Sequence, residues 1–594
     1  MKDKKIIGGG IFCILFVSLL LAGCVTPKHY MVPMRDDVNL ATDVYVKKQN
    51  QVHGVILIRT PYNKNGLLLL GMNWAQNGWP TVIQDMRGRF ASEGDDTVFK
   101  NEHTDGPDTL AWIANQTWSN GKIATFGGSA LGITQYLTAG ANPSQLACQY
   151  IQVATPDMYK HAMYPGGEFR KNMVEEWLKG QGSEALLILP ELWAHENYTM
   201  DYWTNVSLED KWDQVNVPAI HIGGWYDIFT QGTIDGFLGY QHKGGPGAQG
   251  RSKLIIGPWT HGGAGTTKQG ELTYPTNSID DFSQPLFWQM VNEYTMNGPA
   301  DYDNWPAVTY YVMGDVDDAN ASGNEWRYAD DWPIPSIERA WYLQTDGSLQ
   351  TTIPTEEEQL SYSYDPTNPV PTIGGGNLNI PAGPFDQRPV ENRYDVLIFT
   401  SPVLQQPYEA TGAIKARLFV SSDCPDTDFT VKLTDVYPDG RSMLITDGIL
   451  RMRNRNGFDH WELMEPGMVY QVDVDLWSTS YVWNTGHQIR LAISSSNYPR
   501  CLNNPNTAEG IYKNTTYNIA HNTVYVDSIR SSCLLLPEIA LNTTGHRQTW
   551  VPSVESNVIE EDHPQLRLPD RLQNILRRYP MYNQLIEYRS FMIK

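Results

Sequence analysis

Short apolar runs rich in valine and isoleucine alternate with helix-compatible segments through residues 55–153, and this alternation restricts the fold more than any other feature. The strand candidates are 55–58, 80–84, 122–126 and 146–153, and the helix candidates between them are 67–76, 109–114 and 130–139. Alternation at this spacing is typical of parallel βαβ units, in which each helix leads back to the next strand. The sequence therefore predicts an α/β domain built on a largely parallel sheet.

The pattern is interrupted and then changes further along the chain. From about residue 157 to 213, tryptophan, methionine, glutamate and leucine dominate, which predicts helices inserted between two strands. Strand patterns return at 218–222 and 253–257. Beyond about residue 304, short alternating runs between turn residues are typical of an antiparallel all-β domain. We therefore predict these units: an α/β domain at 24–156 and 214–303, a helical insertion at 157–213, and a β domain at 304–594.

The first 24 residues have the features of an export signal with a lipid attachment site. A basic start precedes an apolar run at 6–21, which is short for a membrane-spanning helix. The run ends in leucine, alanine and glycine before Cys24, which resembles a bacterial lipobox with its lipid on the cysteine sulfur. We predict a signal peptide at 1–23 and an exported lipoprotein, anchored to a bacterial membrane of the cell envelope through Cys24. An uncleaved anchor helix is the alternative.

The charge balance and the cysteine pattern exclude several classes of function. The 594 residues include 44 Lys and Arg against 66 Asp and Glu, a formal net charge of −22. A surface this acidic repels phosphate backbones, so we expect no nucleic-acid partner. The sequence has no cluster of cysteines and histidines with the spacing of a zinc site, and no complete calcium-binding loop. We therefore predict neither a metal nor a cofactor. Disulfide pairing of Cys148, Cys424, Cys501 and Cys533 is left open, as is the oligomeric state.

A glycine-flanked serine lies at a predicted turn from a strand into a helix. Residues 127–132 have the sequence GGSALG. A serine hydroxyl is a poor nucleophile unless it is exposed, oriented and paired with a base, and a sharp strand-to-helix turn would expose Ser129. The next backbone N–H, of Ala130, would lie at a helix N-terminus, where the dipole favours an oxyanion. An ordinary glycine-rich turn is the alternative.

Two later strand ends carry residue types that complete a set of nucleophile, acid and base. Asp227 follows the strand at 218–222, and His261 follows the strand at 253–257. The order serine, acid, histidine and the placement after strands match α/β-hydrolases. Taken singly, Asp227 suits a helix N-cap and His261 an ordinary loop histidine. Together with Ser129, in this order and at these positions, they favour a catalytic triad.

Several blocks in both halves of the chain resemble one family in their joint order. They are 85–94 (DMRGRFASEG), 127–132 (GGSALG), 224–227 (GWYD), 257–261 (GPWTH), 426–429 (DTDF) and 494–500 (SSSNYPR). The chain is similar to the CocE/NonD hydrolases, the cocaine-esterase group, which are related to X-Pro dipeptidyl-peptidases and α-amino-acid ester hydrolases. The resemblance implies an α/β-hydrolase fold with an inserted helical cap, followed by a C-terminal all-β jelly-roll domain. It also implies that Ser129 is the nucleophile, His261 the general base and Asp227 its orienting acid.

The same resemblance implies an oxyanion hole. In the family it consists of the backbone N–H after the nucleophile and a tyrosine hydroxyl near the N-terminus. Segment 35–45 matches that region, which assigns the N–H of Ala130 and the hydroxyl of Tyr45 as donors. A phenol is neutral at pH 7 and can donate to an oxyanion as its charge grows. Without the family match, Tyr45 would be interpreted as a strand aromatic in the core.

Two departures from the family pattern concern the substrate. Relatives often carry tyrosine after the nucleophile, and Ala130 there implies that the pocket near the leaving group is roomier or has a different shape. Relatives that bind an α-ammonium group carry carboxylates two and three residues beyond the triad acid, where this chain has Phe229 and Thr230. We therefore expect an apolar, tryptophan-rich acyl pocket. Acidic residues of the inserted helices could still bind an ammonium group: Glu175, Glu176 and Glu184.

The sequence thus predicts a serine hydrolase that cleaves an ester or amide bond of a small-molecule or peptide substrate through an acyl-enzyme. The alternatives within this chemistry are an exported X-Pro-type dipeptidyl-peptidase and a β-lactam or amino-acid ester acylase. An alternative from another class is a lipid-anchored carbohydrate-binding or scaffold protein with an idle triad. A glycosidase is disfavoured because no pair of acidic residues stands out.

Overall fold

The computed structural model describes residues 25–47, 52–182, 185–355, 358–510 and 516–540. The predicted signal peptide and Cys24 lie outside these residues. None of the helices in these ranges combines the length and the apolar composition needed to cross a membrane. The cysteines whose pairing was left open are all buried and carry free thiols: Cys148, Cys424, Cys501 and Cys533.

One large mixed sheet organises the first half of the fold. The strands up to residue 329 are β1 (Lys28–Pro33), β2 (Asn39–Tyr45), β3 (His53–Thr60), β4 (Thr81–Asp85), β5 (Ser119–Gly128), β6 (Leu146–Gln152), β7 (Ala219–Tyr226), β8 (Lys253–Thr260), β9 (Lys268–Gln269), β10 (Leu272–Thr273), β11 (Val308–Val312) and β12 (Glu325–Ala329). Strands β9 and β10 pair with each other, and the other ten form one sheet in the order β1-β2-β4-β3-β5-β6-β7-β8-β11-β12. From β4 to β11 neighbouring strands are parallel, whereas β1, β2 and β12 are antiparallel. The segments that follow β3, β5, β7 and β8 therefore meet at one edge.

Helices pack on this sheet and fill the insertion between β6 and β7. In chain order they are α1 (Leu68–Gln76), α2 (Glu102–Ala114), α3 (Ala130–Ala139), α4 (Lys171–Gln181), α5 (Leu189–Ala194), α6 (Met200–Trp203), α7 (Thr230–Leu238), α8 (Ser283–Met296) and, in the second half, α9 (Arg388–Glu391). Helices α4 to α6 form the cap, at the place where the sequence predicted an insertion. The central strands β3 and β4 are buried along nearly their whole length because they are covered on both faces, as parallel strands usually are.

The second half of the chain is built from antiparallel sheets. Its strands are β13 (Ile337–Leu343), β14 (Leu349–Gln350), β15 (Gln359–Tyr364), β16 (Leu397–Thr400), β17 (Tyr408–Ser422), β18 (Asp428–Val436), β19 (Ser442–Arg451), β20 (Tyr470–Trp483), β21 (Gln488–Ser494), β22 (Ala520–Tyr525) and β23 (Cys533–Glu538). One sheet has the order β14-β13-β23-β17-β22-β15, with β20 also paired to β17, and the other has the order β16-β21-β18-β19. Alternating buried residues of β17, such as Leu418 and Val420, join Phe429 and Leu433 of β18 in one core. This is the predicted all-β domain.

The large sheet extends past the boundary predicted at residue 304. Strand β11 pairs in parallel with β8 and antiparallel with β12, so both belong to the α/β sheet. Alternation of apolar and polar residues identifies a strand but does not indicate which sheet it joins. Just after β11, Met313 N donates to Ser480 O over 3.0 Å, and Val482 N donates to Met313 O over 2.9 Å. The two halves are therefore linked through the backbone as well as through a shared hydrophobic core.

Candidate active site

Ser129 lies at a sharp turn between β5 and α3. Its φ of 55° and ψ of −125° are unfavourable for a residue with a side chain, as in the nucleophile elbow of α/β-hydrolases. The glycines on either side of the turn are needed because a side chain at these positions would overlap with neighbouring atoms. A Cβ at Gly127 would lie 2.4 Å from the Cβ of Leu131, and one at Gly132 would lie 2.5 Å from the Cβ of Ala154. The local sequence therefore lets β5 turn directly into α3 with the serine at its tip.

The three side chains predicted to form a triad are brought together. Asp227 directly follows β7 and His261 directly follows β8, at the same sheet edge as Ser129. His261 Nε2 lies 3.0 Å from Ser129 Oγ, and His261 Nδ1 lies 2.5 Å from Asp227 Oδ2. An ionised carboxylate can only accept, so Nδ1–H donates to Asp227 and Nε2 is left to accept the serine proton. The arrangement is that of a nucleophile, a general base and an orienting acid.

The acid is held in a tight turn rather than at a helix N-cap. Asp227 is buried, and its Oδ1 accepts the backbone N–H of Phe229 over 2.7 Å. Helix α7 begins at Thr230, with Phe229 in the capping position. One carboxylate oxygen thus orders the turn while the other faces the imidazole.

The backbone N–H of Ala130 lies at the N-terminus of α3, directly after Ser129. Ala130 is the first residue of α3, and the first N–H groups of a helix have no acceptor within it. The helix dipole adds a partial positive charge at this point. Ala130 therefore lies where the sequence predicted a backbone donor.

Tyr45 does not lie at the site, which corrects the prediction of its role. Tyr45 ends β2 and pairs with Thr81, the first residue of β4. Because β2 is antiparallel to β4, its last residue lies at the opposite edge of the sheet from the triad. The ring is completely buried against Gly71 of α1, where an added Cβ would lie 2.6 Å from a ring carbon. Tyr45 is the core aromatic that the pattern alone indicated.

Tyr62 occupies the position that was assigned to Tyr45. It lies two residues after β3, the strand next to β5, and its hydroxyl is in hydrogen-bonding contact with Ser129. Trp177 of α4 donates its Nε1–H to the same hydroxyl over 2.8 Å. Burial raises the pKa of Tyr62, against the opposing effect of these hydrogen bonds, so the phenol is neutral at pH 7. Since the hydroxyl accepts from Trp177, its own proton is left to donate on the side of Ser129.

A sequence signal for Tyr62 was present. The run 55–58 and the turn after it were identified as a strand and its end, and Tyr62 follows directly. In α/β-hydrolases the second oxyanion donor comes from the loop after the strand that neighbours the nucleophile strand. The direction of β2, which removes Tyr45 from the site, has no comparable signal.

A small apolar cavity of about 40 Å³ borders the nucleophile. Its lining comes from the loop before α2, the elbow, the cap, the acid loop and the β domain: Phe99, Ser129, Ala130, Ile133, Met158, Ala162, Met163, Met173, Val174, Trp177, Ile228, Phe229 and Leu378. The lining contains no charged residue. It is rich in methionine and holds a single tryptophan, which differs from the tryptophan-rich pocket expected from composition. Methionine side chains are flexible, so such a pocket can adapt to its occupant.

Two of the three cap glutamates that could have bound an ammonium group form ion pairs along α4 instead. Glu175 pairs with Lys171 over 2.5 Å, and Glu176 pairs with Lys179 over 3.3 Å, both along α4. Glu184 lies outside the described residues. The cavity beside Ser129 therefore has no carboxylate among its lining residues.

Both halves of the chain match family models. Residues 36–187 and 174–263 match the X-Pro dipeptidyl-peptidase (S15 family), and residues 300–535 match the X-Pro dipeptidyl-peptidase C-terminal non-catalytic domain. Cocaine esterase from Rhodococcus sp. (strain MB1 Bresler) is 34% identical over 547 residues, which cover 81% of this chain and 92% of the relative. These matches include the α/β half, the cap and the β domain.

Solved structures show the same fold. The structure of an aminopeptidase from the marine sediment archaeon Thaumarchaeota archaeon has a TM-score of 0.76 and 23% identity, with 87% of this chain and 97% of that chain covered. An α-amino-acid ester hydrolase has a TM-score of 0.75 and 23% identity, with 86% of this chain and 96% of that chain covered. The predicted fold class, an α/β-hydrolase fold with a C-terminal all-β domain, is confirmed. With this identity to cocaine esterase over most of its length, the chain belongs to the CocE/NonD family of serine hydrolases.

Proposed function

We propose that the protein is a carboxylic ester hydrolase that works through an acyl-enzyme formed on Ser129. The observation that carries this proposal is the hydrogen-bonded series from Ser129 Oγ to His261 and on to Asp227, with lengths of 3.0 and 2.5 Å. It lies beside an apolar cavity and beside two donors suited to an oxyanion. Together these groups are the components of acyl transfer.

The mechanism has two steps. Ser129 Oγ attacks the substrate carbonyl carbon while its proton passes to Nε2 of His261, and Asp227 stabilises the imidazolium that forms. The carbonyl oxygen becomes an oxyanion, held by the N–H of Ala130 and the hydroxyl of Tyr62. Collapse breaks the bond to the leaving group, which takes the proton from His261. Water then attacks the acyl-enzyme, with His261 as base, and releases the acid and Ser129.

The cavity favours an ester with a small apolar acyl group. An α-ammonium group buried there would find no carboxylate, and an unpaired buried charge is costly. At roughly 10–15 Å³ for each water-sized site, a volume of about 40 Å³ accepts a group of only a few heavy atoms before side chains move. The name of the relative, cocaine esterase, agrees with ester rather than peptide hydrolysis.

A substrate panel tests this proposal. We expect kcat/KM to be highest for p-nitrophenyl acetate or butyrate, and at least about tenfold lower for phenylalanine p-nitrophenyl ester and for Gly-Pro p-nitroanilide. We expect a lower kcat/KM for the octanoate ester than for the butyrate ester, because the methionine-lined cavity must rearrange to accept the longer acyl chain. Faster turnover of Gly-Pro p-nitroanilide would favour the dipeptidyl-peptidase alternative. Absence of turnover across the panel would favour the non-catalytic alternative.

We propose further that the mature chain begins at a lipidated Cys24. The support is the basic start, the short apolar run and the small residues before Cys24. An alkyne-tagged fatty acid fed to bacteria that express the full chain is expected to label the protein and to leave Cys24→Ser unlabelled. Equal labelling of the two proteins would contradict this assignment.

A further inference from the structure

Arg170, the residue before α4, is almost fully buried, and its guanidinium group donates hydrogen bonds to three separate segments. Its Nη1 donates to His161 O over 3.1 Å and to Ile228 O over 2.6 Å. Its Nη2 donates to Gly376 O over 2.9 Å. These carbonyls belong to the cap, to the loop after β7 and to the loop between β15 and α9. One side chain therefore joins the cap, the α/β domain and the β domain.

The partners of Arg170 are unusual for a buried cation. In the part of the chain that the structure describes, it forms no ion pair with a carboxylate, whereas nearby Arg500 pairs with Asp447. Burial lowers the pKa of Arg170 to about 10, and the guanidinium group is still charged at neutral pH. A buried charge is costly unless its hydrogen bonds are satisfied, so the three carbonyls must stay in place around it. Their positions are thereby fixed relative to one another.

One of these carbonyls is part of the turn that holds the catalytic acid. Ile228 lies between Asp227 and Phe229, and the two oxygens of Asp227 bind the Phe229 N–H and the His261 ring. A shift of the Ile228 carbonyl would therefore move the carboxylate. The loop of Gly376 packs against the same turn, since a Cβ at Gly376 would lie 2.9 Å from Asp227 O. Arg170 thus fixes this turn against both neighbouring units.

We infer that Arg170 is a positioning residue that keeps the Asp227 carboxylate against His261 and makes this alignment depend on docking of the cap and the β domain. This inference rests on the proposed function, because it concerns the acid of the proposed triad. Arg170 donates to backbone oxygens and lies over the ring of Trp477, and it contacts no reacting atom. Its effect on the reaction passes through the turn at Ile228, and a misplacement of about 1 Å can cost roughly 10²-fold in rate.

Arg170→Lys in the full chain tests this role. Lysine keeps the charge, but a single ammonium group cannot reproduce a planar fork that reaches three carbonyls. We expect kcat for p-nitrophenyl acetate to fall roughly 10- to 100-fold, with KM nearly unchanged because no substrate contact is lost. We also expect the acid limb of the kcat/KM profile to move to lower pH, since a displaced carboxylate stabilises the imidazolium less.

Arg500→Lys is the matched control. Arg500 donates to Gly374 O and Asn377 Oδ1 of the same loop, both over 2.8 Å, and donates no hydrogen bond to Asp227, Ile228 or Phe229 in the described residues. We expect this variant to keep its kcat within about threefold and its pH profile unchanged, because it removes no hydrogen bond to the turn that holds Asp227. Wild-type kcat in Arg170→Lys would overturn the inference, and so would equal losses in both variants with an unshifted acid limb. Ser129→Ala in the same assay distinguishes failure of this inference from failure of the proposed function. If Ser129→Ala retains activity, the proposed triad is wrong; if it is inactive and Arg170→Lys has wild-type kcat, only the role of Arg170 is wrong.

Discussion

Ser129→Ala is expected to lower kcat for p-nitrophenyl acetate by roughly 10⁶-fold, the size of loss seen when a triad nucleophile is removed. The variant retains the oxyanion donors and the acyl cavity, so residual turnover of about 10³-fold over water is expected. Alanine adds no atom at the elbow, so the thermal unfolding midpoint should stay close to that of the wild type. The measurement is steady-state hydrolysis, with unfolding followed on the same preparations.

The double variant Ser129→Ala/His261→Ala distinguishes a triad from two independent contributions. Residues that act as one unit are strongly non-additive, so the double variant should be no slower than Ser129→Ala alone. Asp227→Asn should lower kcat by roughly 10⁴-fold, less than Ser129→Ala does, because it leaves the nucleophile and the base in place. Multiplicative losses in the double variant would mean that His261 does not act on Ser129.

Tyr62→Phe is expected to lower kcat by roughly 10²- to 10³-fold, the usual effect of losing one oxyanion donor. Phenylalanine keeps the ring and removes only the hydroxyl that contacts Ser129 and accepts from Trp177. KM should change little, because the donor acts mainly on charge that develops in the transition state. Stopped-flow measurement of the acylation step with p-nitrophenyl acetate is the direct readout.

Tyr45→Phe is the matched control for this experiment. It makes the same chemical change on a completely buried tyrosine at the opposite edge of the sheet. Its kcat should equal that of the wild type, whatever its effect on the free energy of unfolding. A large loss of kcat in Tyr45→Phe, with a normal rate in Tyr62→Phe, would restore the role that the family match first assigned to Tyr45.

The three triad residues could be predicted from the sequence because their positions follow from the order of the parallel strands. Ser129, Asp227 and His261 each come a few residues after a predicted strand, and the carboxyl ends of parallel strands share one edge. The oxyanion tyrosine required knowledge of strand direction. Tyr62 follows a strand of the predicted parallel unit, whereas no sequence pattern indicates that β2, which ends at Tyr45, runs antiparallel to β4.

Contacts between distant segments were less accessible to sequence reasoning. Strand β11 has the alternation of the β domain but pairs with β8, because pairing depends on neighbours that are remote in sequence. The methionine-lined cavity combines residues from the cap, the acid loop and Leu378. The three hydrogen bonds that Arg170 donates to carbonyl groups likewise form only when the cap, the α/β domain and the β domain pack together. Such features depend on the tertiary structure rather than on a motif.

The most direct test of the account is to identify the residue that reacts with a fluorophosphonate probe. The probe is attacked by an activated serine and leaves a stable adduct on its oxygen, which peptide mass spectrometry locates. We predict one stoichiometric adduct on Ser129, formed together with loss of ester hydrolysis and strongly slowed in His261→Ala. Loss of activity with the adduct on another residue, or turnover that persists with Ser129 fully labelled, would contradict the proposed nucleophile.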